Sequence, residues 1–226
     1  MGNGLRIPLG ISLGKSKNTS LEEAVKDYLC SFFTLYSFGD YFVINISSPN
    51  TPNLRKLQDK ERLKILLAEI QEFNKTIAVK RRCLRKKILV KIAPNLSLDA
   101  IDEILQVCFD YAVDGIIAVN STDARDGLTT PTTEEGGLSG GPLWGRAYAT
   151  TLYLNLKIRG KIPIIGVGGI STAAQAYAMF QHADLIQIYS SLIYKGPFII
   201  RRINEGLKQL MNRDGVKNIS EIRQWR

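Results

Sequence analysis

The stretch Tyr41-Phe42-Val43-Ile44-Asn45-Ile46-Ser47-Ser48-Pro49-Asn50-Thr51 joins an apolar run to a dense cluster of amides and hydroxyls. Consecutive apolar residues are typical of a strand that is buried on both faces, as in a parallel sheet. The proline and the asparagines that follow are typical of a turn, so we predict that the strand ends there. Polar groups concentrated at the carboxyl end of a buried strand indicate a ligand site, because a core would have to satisfy each of them.

Six short apolar runs rich in β-branched residues alternate with amphipathic segments along the chain. We predict strands at residues 9–13, 41–46, 88–92, 115–120, 162–167 and 185–189. We predict helices at residues 20–36, 59–73, 98–111, 143–158, 171–180 and 198–211. Two helix starts carry capping signals, a capping box at Ser20-Leu21-Glu22-Glu23 and an N-cap serine at Ser97. This alternation of strands and helices predicts a parallel sheet.

Polar or glycine-rich residues follow nearly every predicted strand, as at residues 12–15, 120–122 and 189–191. A doubly wound sheet concentrates its ligand site at one switch point, whereas a barrel gathers groups from many strand ends at one mouth. The distribution therefore predicts an α/β fold of the TIM-type (β/α) barrel kind, formed as a single partial domain over residues 1–226. Six strands cannot readily close an eight-stranded barrel, so we expect an incomplete barrel with bare edges at its first and last strands.

Two glycine-rich loops predict a phosphate site. Gly166-Val167-Gly168-Gly169-Ile170-Ser171 follows a predicted strand and opens a predicted helix. Glycine lets the backbone approach an anion closely, and the N–H groups at a helix start can bind it. The next strand ends at Tyr189-Ser190-Ser191, and the loops after the last two strands of a barrel often bind phosphate. The second loop, residues 135–142, can add N–H donors or can serve only as a flexible connection.

Lys91 lies inside an apolar strand, where an ammonium group is costly to bury unless an anion meets it. It can stabilise a developing negative charge, form a Schiff base with a carbonyl substrate, or pair with a carboxylate. The structural alternative is an outward side chain whose charged head reaches solvent. The sequence leaves these roles open.

The amides of Asn45, Asn50 and Asn120 follow predicted strands and can both donate and accept hydrogen bonds, which suits a cyclic imide or urea. Ser48 is a candidate catalytic base. A serine hydroxyl becomes a plausible base only when it is desolvated and linked to a proton relay, for which Thr51 or a water is the nearest candidate.

The net charge is +9, and the densest basic run is residues 80–87. We interpret this run as a solvated loop between a helix and a strand, because no aromatic residues interleave with it to stack on bases. A nucleic-acid or membrane-surface patch is the alternative.

The cysteines at 30, 83 and 108 are too scattered for a disulfide framework, so we predict a reducing compartment. His182, the single histidine, lacks neighbouring metal ligands, so we predict no metal site.

No stretch reads as a secretory signal or as the ~20 apolar residues that a transmembrane span needs. Residues 1–6 lack the long amphipathic, arginine-rich character of a transit peptide. We therefore predict no targeting segment in this chain.

Five motifs together resemble dihydroorotate dehydrogenase, specifically the class 2, quinone-linked family. They are residues 45–51, 89–94, 137–140, 164–170 and 187–190, in the family's order and spacing over essentially the whole chain. Serine at position 48, rather than cysteine, points to class 2 over class 1. The resemblance implies an FMN-dependent oxidation of dihydroorotate to orotate in pyrimidine biosynthesis, with quinone as the electron acceptor and no role for nucleic acid.

The resemblance also implies roles for individual residues. Ser48 would be the catalytic base at C5 of the substrate, and Lys91 would lie at the flavin N1/O2 edge. The substrate would be bound by Asn45, Asn50, Asn120 and Ser121. The flavin would be contacted by Ser12, Asn45, Lys91, Val119, Gly140, Gly168, Gly169, Tyr189 and Ser190, the glycines and the last two residues binding its phosphate.

The chain departs from the family pattern at several points. Ser12 stands where asparagine is common, and Val119 where threonine is common. The family's N-terminal helical segment for quinone and membrane contact has no match in these residues, nor do its first two barrel strands. The family's location implies the mitochondrial inner membrane in a eukaryote and membrane association in the cytoplasm otherwise. We expect this chain to bind FMN weakly and to turn over poorly; the alternatives are a flavin-free phosphate-binding barrel with a Lys91 Schiff base, and an inactive binding remnant.

Overall fold

The protein is represented by a computed structural model that describes residues 7–126 and 128–223. The opening residues 1–6, in which we predicted no transit peptide, lie outside the described residues. No helix of the described part is both long and apolar enough to span a membrane.

The predicted strands form one parallel sheet. They are β1 (Gly10–Leu13), β2 (Tyr41–Asn45), β3 (Lys87–Ile92), β4 (Gly115–Ala118), β5 (Ile164–Val167) and β6 (Leu185–Gln187). Each strand pairs in parallel with the next one along the chain, so the spatial order is β1-β2-β3-β4-β5-β6. The prediction of six strands in a parallel sheet is confirmed, with strand bounds that differ from the predicted ones by up to two residues.

The strand order distinguishes a barrel from a doubly wound sheet. A doubly wound sheet reverses its strand order at a switch point, and this sheet does not reverse within the described residues. Because parallel crossovers are right-handed, an unreversed order places every connecting helix on the same face. The sheet is thus a curved part of a (β/α) barrel, as predicted. Within the described residues β1 pairs only with β2, and β6 only with β5, so both are edge strands.

The two faces of the sheet differ in what they bury. The outer face packs against the helices in one large core that includes Phe42, Ile44, Val90 and Ile116. The inner face carries a small apolar cluster of Val43, Leu89, Ile117, Ile165 and Val167. Because side chains alternate along a strand, Asn45 and Lys91 fall on the inner face, two residues beyond Val43 and Leu89. This alternation carries polar groups to the carboxyl end of the inner face.

The helices of the described residues follow the predicted order. They are α1 (Ala24–Leu35), α2 (Lys60–Arg81), α3 (Leu98–Asp110), α4 (Trp144–Ile158), α5 (Ala173–Phe180), α6 (Ser190–Lys195) and α7 (Ile199–Arg213). Ser97 caps α3 as predicted, its hydroxyl accepting from the Ala100 N–H at 3.2 Å. The Ser20 hydroxyl accepts from the Glu23 N–H at 3.3 Å, but regular helix begins only at Ala24.

The largest differences from the predicted elements are at α2, at the end of β6 and in the loop after β2. Helix α2 continues eight residues past its predicted end at 73, because Ile77 and Ala78 extend its buried face. The last strand was predicted to run to residue 189, but β6 stops at Gln187, and Tyr189 is the N-cap of helix α6, which was not predicted. A short 3-10 turn at Leu54–Gln58 was not predicted.

The basic run 80–87 lies at the amino end of the sheet, away from the polar strand ends. Arg81 ends α2, and Arg82 caps it in the left-handed conformation. Arg85 and Lys87 both form ion pairs with Asp114, at 2.6 and 2.9 Å. The run is therefore not only a solvated loop. Arg81 and Arg82 end helix α2, and Arg85 and Lys87 form ion pairs with Asp114 at the amino end of the sheet.

Candidate functional site

The loop after β2 is held to the loop after β4 by amide and hydroxyl groups. The Asn45 Oδ1 atom accepts from the Ser47 N–H, the Ser47 hydroxyl and the Asn120 Nδ2 group, at 3.3, 3.1 and 3.0 Å. Asn120 Nδ2 also donates to the Ser47 hydroxyl at 3.1 Å, and Asn120 Oδ1 accepts from the Ser121 N–H at 2.8 Å. Ser47 is fully buried. These contacts join residues 75 positions apart in the sequence.

A second contact joins Asn50 to the glycine-rich loop. Asn50 Oδ1 accepts from the Gly137 N–H at 2.9 Å. Gly137 lies so close that an added Cβ would stand 2.0 Å from the Ser121 hydroxyl oxygen and 2.8 Å from Pro49. A short antiparallel bridge between Thr122 and Leu138 runs alongside. Glycine at 137 is therefore required by close packing of three loops.

Backbone N–H donors set the amide orientation of Asn45 and Asn50, at the two ends of the loop after β2. A backbone N–H can meet only the oxygen end of an amide, so the Nδ2 groups of Asn45 and Asn50 must lie opposite. Within the described residues, neither Nδ2 group has a hydrogen-bond partner. The site thus presents two amide donors to the carbonyl or carboxylate oxygens of a ligand.

Lys91 lies next to Asn45 in the register of β2 and β3, and it lines a cavity at the carboxyl ends of the strands. Burial lowers the pKa of Lys91 below its ordinary value of 10.5. No carboxylate of the described residues forms an ion pair with it. The outward-facing and carboxylate-paired readings are therefore both wrong, and the ammonium is available to an anionic or electron-rich ligand.

Three glycines form a cradle, two of them directly after β5 and one just before α4. Gly140, Gly168 and Gly169 all have positive φ, at +82°, +132° and +72°. An added Cβ at Gly168 would stand 2.7 Å from Ala147, and one at Gly169 would stand 2.9 Å from the Gly140 carbonyl oxygen. The Ser139 and Ser190 hydroxyls meet across the cradle at 2.7 Å. The backbone is thus exposed to a ligand where no side chain could fit.

A cavity of about 960 Å³ lies between these groups. Its lining includes ten of the predicted site residues: Asn50, Lys91, Val119, Asn120, Ser121, Gly140, Gly168, Gly169, Tyr189 and Ser190. Ser191 also lines the cavity, and its hydroxyl is buried without a hydrogen-bond partner among the described residues. The volume and the orphaned donor fit a ligand with a phosphate group better than an apolar one.

Three predicted site residues lie outside the cavity lining. Asn45 reaches the site through its bond to Asn120. Ser48 is half-buried, and its hydroxyl accepts from the Asn50 N–H at 3.3 Å. No hydrogen bond joins Ser48 to Thr51 within the described residues, so the relay through Thr51 is not formed. Ser12 is exposed on the edge strand β1 and is not brought to the cavity.

Sequence reasoning missed several groups at the site. Gln187 and Lys195 line the cavity, and Arg55 binds two of its loops. Gln187 follows Leu185 by two residues on the inner face, a spacing that the sequence does carry. Arg55 and Lys195 sit on short helical turns whose placement depends on the tertiary structure.

His182, predicted to lie in a turn away from any metal site, is buried, and its Nε2 atom meets the Tyr148 hydroxyl at 3.1 Å. Burial and the nearby charge of Arg223 lower the pKa of His182 below 6.5. It lies outside the cavity lining.

A curved parallel sheet of β/α units, with a glycine-cradled polar cavity at the carboxyl ends of its strands, defines the class of (β/α)-barrel enzymes. Residues 3–211 match the sequence model of the family described as Dihydroorotate dehydrogenase. The chain therefore belongs to the dihydroorotate dehydrogenase family, in its class 2 branch, as the sequence motifs predicted.

Individual relatives agree with this assignment. The dihydroorotate dehydrogenase (quinone) of Gloeobacter violaceus is 45% identical over 216 residues, which is 95% of this chain and 59% of the relative. The enzyme of that name from Chloroflexus aurantiacus is 47% identical over 206 residues, covering 89% and 57%. A ligand-free DHODH from Eimeria tenella superposes with a TM-score of 0.89 at 30% identity, covering 98% of this chain and 64% of its own. A ferulenol complex of the Eimeria tenella DHODH gives 0.85 at 31%.

The chain spans a little under 60% of the length of the curated relatives it matches. These curated relatives are bacterial, so they lend no support to the mitochondrial location that the resemblance offered for a eukaryote.

Proposed function

We propose that this chain provides the catalytic part of a dihydroorotate dehydrogenase, oxidising dihydroorotate to orotate in pyrimidine biosynthesis. The observation that carries the proposal is one cavity lined by the half-buried, unpaired Lys91, the free Asn50 amide and a glycine cradle, with Asn45 joined to its wall through Asn120. The oxidation removes a proton from C5 of the substrate and a hydride from C6.

The amides are suited to this substrate. Dihydroorotate has two ring carbonyls and a carboxylate, and the free Nδ2 groups of Asn45 and Asn50 can donate to such oxygens. Asn120 orients Asn45 through a 3.0 Å bond. Ser121 adds a hydroxyl on the same wall of the cavity.

Ser48 is the proposed base for the C5 proton. The Asn50 N–H holds its oxygen at 3.3 Å, which leaves the hydroxyl proton free to pass to a relay. Because Thr51 is not bonded to Ser48, a water is the proposed relay partner. The positive charge of Lys91 would stabilise negative charge that develops in the cavity.

FMN is the proposed cofactor and, when bound, would supply the hydride acceptor. The glycine cradle and the orphaned Ser191 hydroxyl fit its phosphate, and Lys91 fits the electron-rich edge of its ring system. Val119 would pack against the cofactor. Ser12 is not proposed to contact it while β1 is an edge strand.

A quinone is the proposed electron acceptor, as in the names of the curated relatives, and membrane association is proposed for the full-length enzyme. Because β1 and β6 are both edge strands in the described residues, the cavity is not enclosed by a complete ring of strands. We therefore expect residues 1–226 alone to bind FMN weakly.

The deciding experiment is a visible spectrum of the purified chain with added FMN, recorded without oxygen before and after dihydroorotate. We expect substrate-dependent bleaching and recovery on adding a soluble quinone. Ser48→Ala should retain flavin but lose bleaching. Gly169→Ala should lose flavin affinity, whereas Gly145→Ala, in open space on α4, should not. Flavin binding with no bleaching at any substrate concentration would reject the proposal.

A second candidate function rests on the same lysine. Burial lowers the pKa of Lys91, which favours the neutral amine that attacks a carbonyl to form a Schiff base, as in a flavin-free aldolase. Borohydride trapping of a carbonyl substrate on Lys91, with no flavin spectrum, would favour it over the dehydrogenase.

A further inference from the structure

Arg55 contacts the backbone on both sides of the site. It lies in the 3-10 turn Leu54–Gln58, directly after the loop that carries Ser48. Its Nε atom donates to the Ser47 carbonyl oxygen at 3.3 Å, and its Nη2 atom donates to the Ser121 carbonyl oxygen at 3.2 Å. The first oxygen belongs to the peptide that joins Ser47 to Ser48. The guanidinium therefore bridges the peptide next to the proposed base and the segment that bears the ring-holding amide.

Asp123 and the loop after β3 complete this bridge. The third arm of the guanidinium, Nη1, forms an ion pair with Asp123 at 2.8 Å. Asp123 also accepts from Asn95 at 2.6 Å, and Asn95 accepts from the Thr122 hydroxyl at 2.7 Å. The hydrogen bond from Arg55 lowers the pKa of Asp123 below 3.8, so the ion pair is intact at neutral pH. Asp123, in the loop after β4, thus contacts the loop after β2 through Arg55 and the loop after β3 through Asn95.

The turn that carries Arg55 is itself anchored. Gln58 is buried, its Nε2 atom donates to the Arg55 carbonyl oxygen at 3.2 Å, and its Oε1 atom accepts from the Ala93 N–H at 2.9 Å. The Arg55 side chain is 23% exposed, so its bonds are largely shielded from water. An anchored backbone and a shielded head give the guanidinium one defined position.

Only an arginine can make all three contacts. The guanidinium is a planar group with donors in fixed directions, whereas a lysine ammonium is a compact point charge on a flexible stem. Two of the acceptors are neutral peptide oxygens, so charge pairing with Asp123 does not account for the arrangement. The geometry serves to fix two loops relative to each other.

On the basis of the proposed function, we infer that Arg55 is a positioning residue for the chemical step. It holds the Ser47–Ser48 peptide at a fixed distance from the Asn120–Ser121 segment, and so holds the base in register with the amide that orients the substrate ring. Ground-state binding of a flat product depends less on this register than proton removal does.

The test compares Arg55→Met, which keeps the stem, with Arg55→Lys and with Asp123→Asn. Arg62→Met is the matched control, because Arg62 is an exposed arginine on α2 whose carboxylate neighbour is 4.0 Å away. In flavin-loaded enzyme, Arg55→Met should lower kcat by about 10- to 100-fold, because misplacement of the order of 1 Å can cost as much as 100-fold. Orotate affinity should change by less than about threefold, and Arg55→Lys should recover part of kcat.

Equal losses in kcat and orotate affinity, or no loss beyond that of Arg62→Met, would overturn the inference. Amide hydrogen exchange in residues 46–53 and 120–123 gives a readout that needs neither flavin nor turnover. Arg55→Met should accelerate exchange in both segments together, and unchanged exchange would overturn the inference even if the wild type proves inactive. If Arg55→Met does not fold, Asp123→Asn keeps the two carbonyl contacts and should lower kcat by only a few-fold.

Discussion

Two adjacent serines at the site have opposite physical settings. Ser47 is fully buried and bonded to Asn45 and Asn120, whereas Ser48 is half-buried and accepts one bond from the Asn50 N–H. A buried polar group that loses its partner costs more than an exposed one. We therefore propose that Ser47 has a structural role and Ser48 a chemical one.

Ser47→Ala should lower the free energy of unfolding by about 1–3 kcal/mol, because it leaves the Asn120 amide with a lost acceptor. Ser48→Ala should change the free energy of unfolding by less than about 0.5 kcal/mol but lower kcat by about 100- to 10,000-fold. Urea unfolding and flavin bleaching measure the two effects. Equal stability losses in the two variants would contradict this division of roles.

Lys91 should make the flavin-free protein more stable as pH rises. Its pKa in the folded state is lowered by burial, so between that value and 10.5 the unfolded chain holds a proton that the folded chain has released. The free energy of unfolding therefore rises with pH across that window. Below this pH window, the folded state carries the full free-energy cost of burying the charge of Lys91.

Lys91→Met should remove this pH dependence and stabilise the flavin-free chain at neutral pH by about 1–2 kcal/mol, as happens when buried charges are replaced by apolar groups. The same variant should impair flavin binding. Lys26→Met, at a side chain 78% exposed, is the control and should change neither property. A wild type and a Lys91→Met variant with parallel stability profiles up to pH 10.5 would argue against a buried charge.

At the scale of secondary-structure elements, an aspartate fastens neighbouring strands at the amino end of the sheet. Asp40, Asp114 and Asp184 each precede a strand, and each accepts from the backbone N–H at the start of the strand before it: Leu9, Ile88 and Ile164. Asp114 also binds Arg85 and Lys87, which explains much of the basic run. This end of the sheet serves stability, and the opposite end serves the ligand.

Asp114→Asn should lower the free energy of unfolding at neutral pH by about 1–3 kcal/mol through weakened charged hydrogen bonds. Burial alone would raise the pKa of Asp114, but hydrogen bonds from Arg85, Ile88 and Lys87 outweigh it and hold the pKa below 3.8. The stabilisation is therefore fully present above about pH 3.8 and is lost as pH falls through the lowered value.

Acid unfolding of the wild type and the Asp114→Asn variant measures this difference. The two curves should converge below the lowered pKa of Asp114. Asp126→Asn removes a carboxylate that is 63% exposed and paired with Arg146, so it should change stability much less than Asp114→Asn does. A gap between the Asp114 variant and the wild type that persists at the lowest pH would contradict the assignment.

At the scale of the whole molecule, the described sheet has two edges. Leu185 on β6 is 57% exposed, and Ile193, Tyr194 and Phe198, in the residues that follow this strand, are also exposed. An uncovered strand edge with apolar side chains can pair with another chain. The exposed edges of the sheet can therefore promote self-association of the chain.

A polypeptide of residues 1–226 studied alone should self-associate with increasing concentration, as sedimentation velocity would detect. Leu185→Lys should weaken this association by at least about tenfold, or ~1.4 kcal/mol, because a charge on an edge strand opposes pairing. Leu156→Lys, at a 50% exposed position on α4 away from the edge, should not. A monomer at every concentration would show that the edges are protected.

The sequence by itself determined the elements and their chemistry, because both depend on local rules. Short apolar runs rich in β-branched residues predicted all six strands, and side-chain alternation puts Asn45 and Lys91 on the face of Val43 and Leu89. The sequence could not predict where β6 ends, because the turn into α6 depends on packing around the glycine cradle.

Only the tertiary structure decided which groups meet. Asn45 and Asn120, 75 residues apart, touch because the parallel sheet brings the carboxyl ends of β2 and β4 to one edge, with β3 between them, and Arg55 reaches Ser121 across 66 residues for the same reason. Ser12 carries a plausible site position in the sequence, yet it stays exposed because β1 lies at an edge. Long-range placement follows from strand order and sheet curvature, which no local pattern encodes.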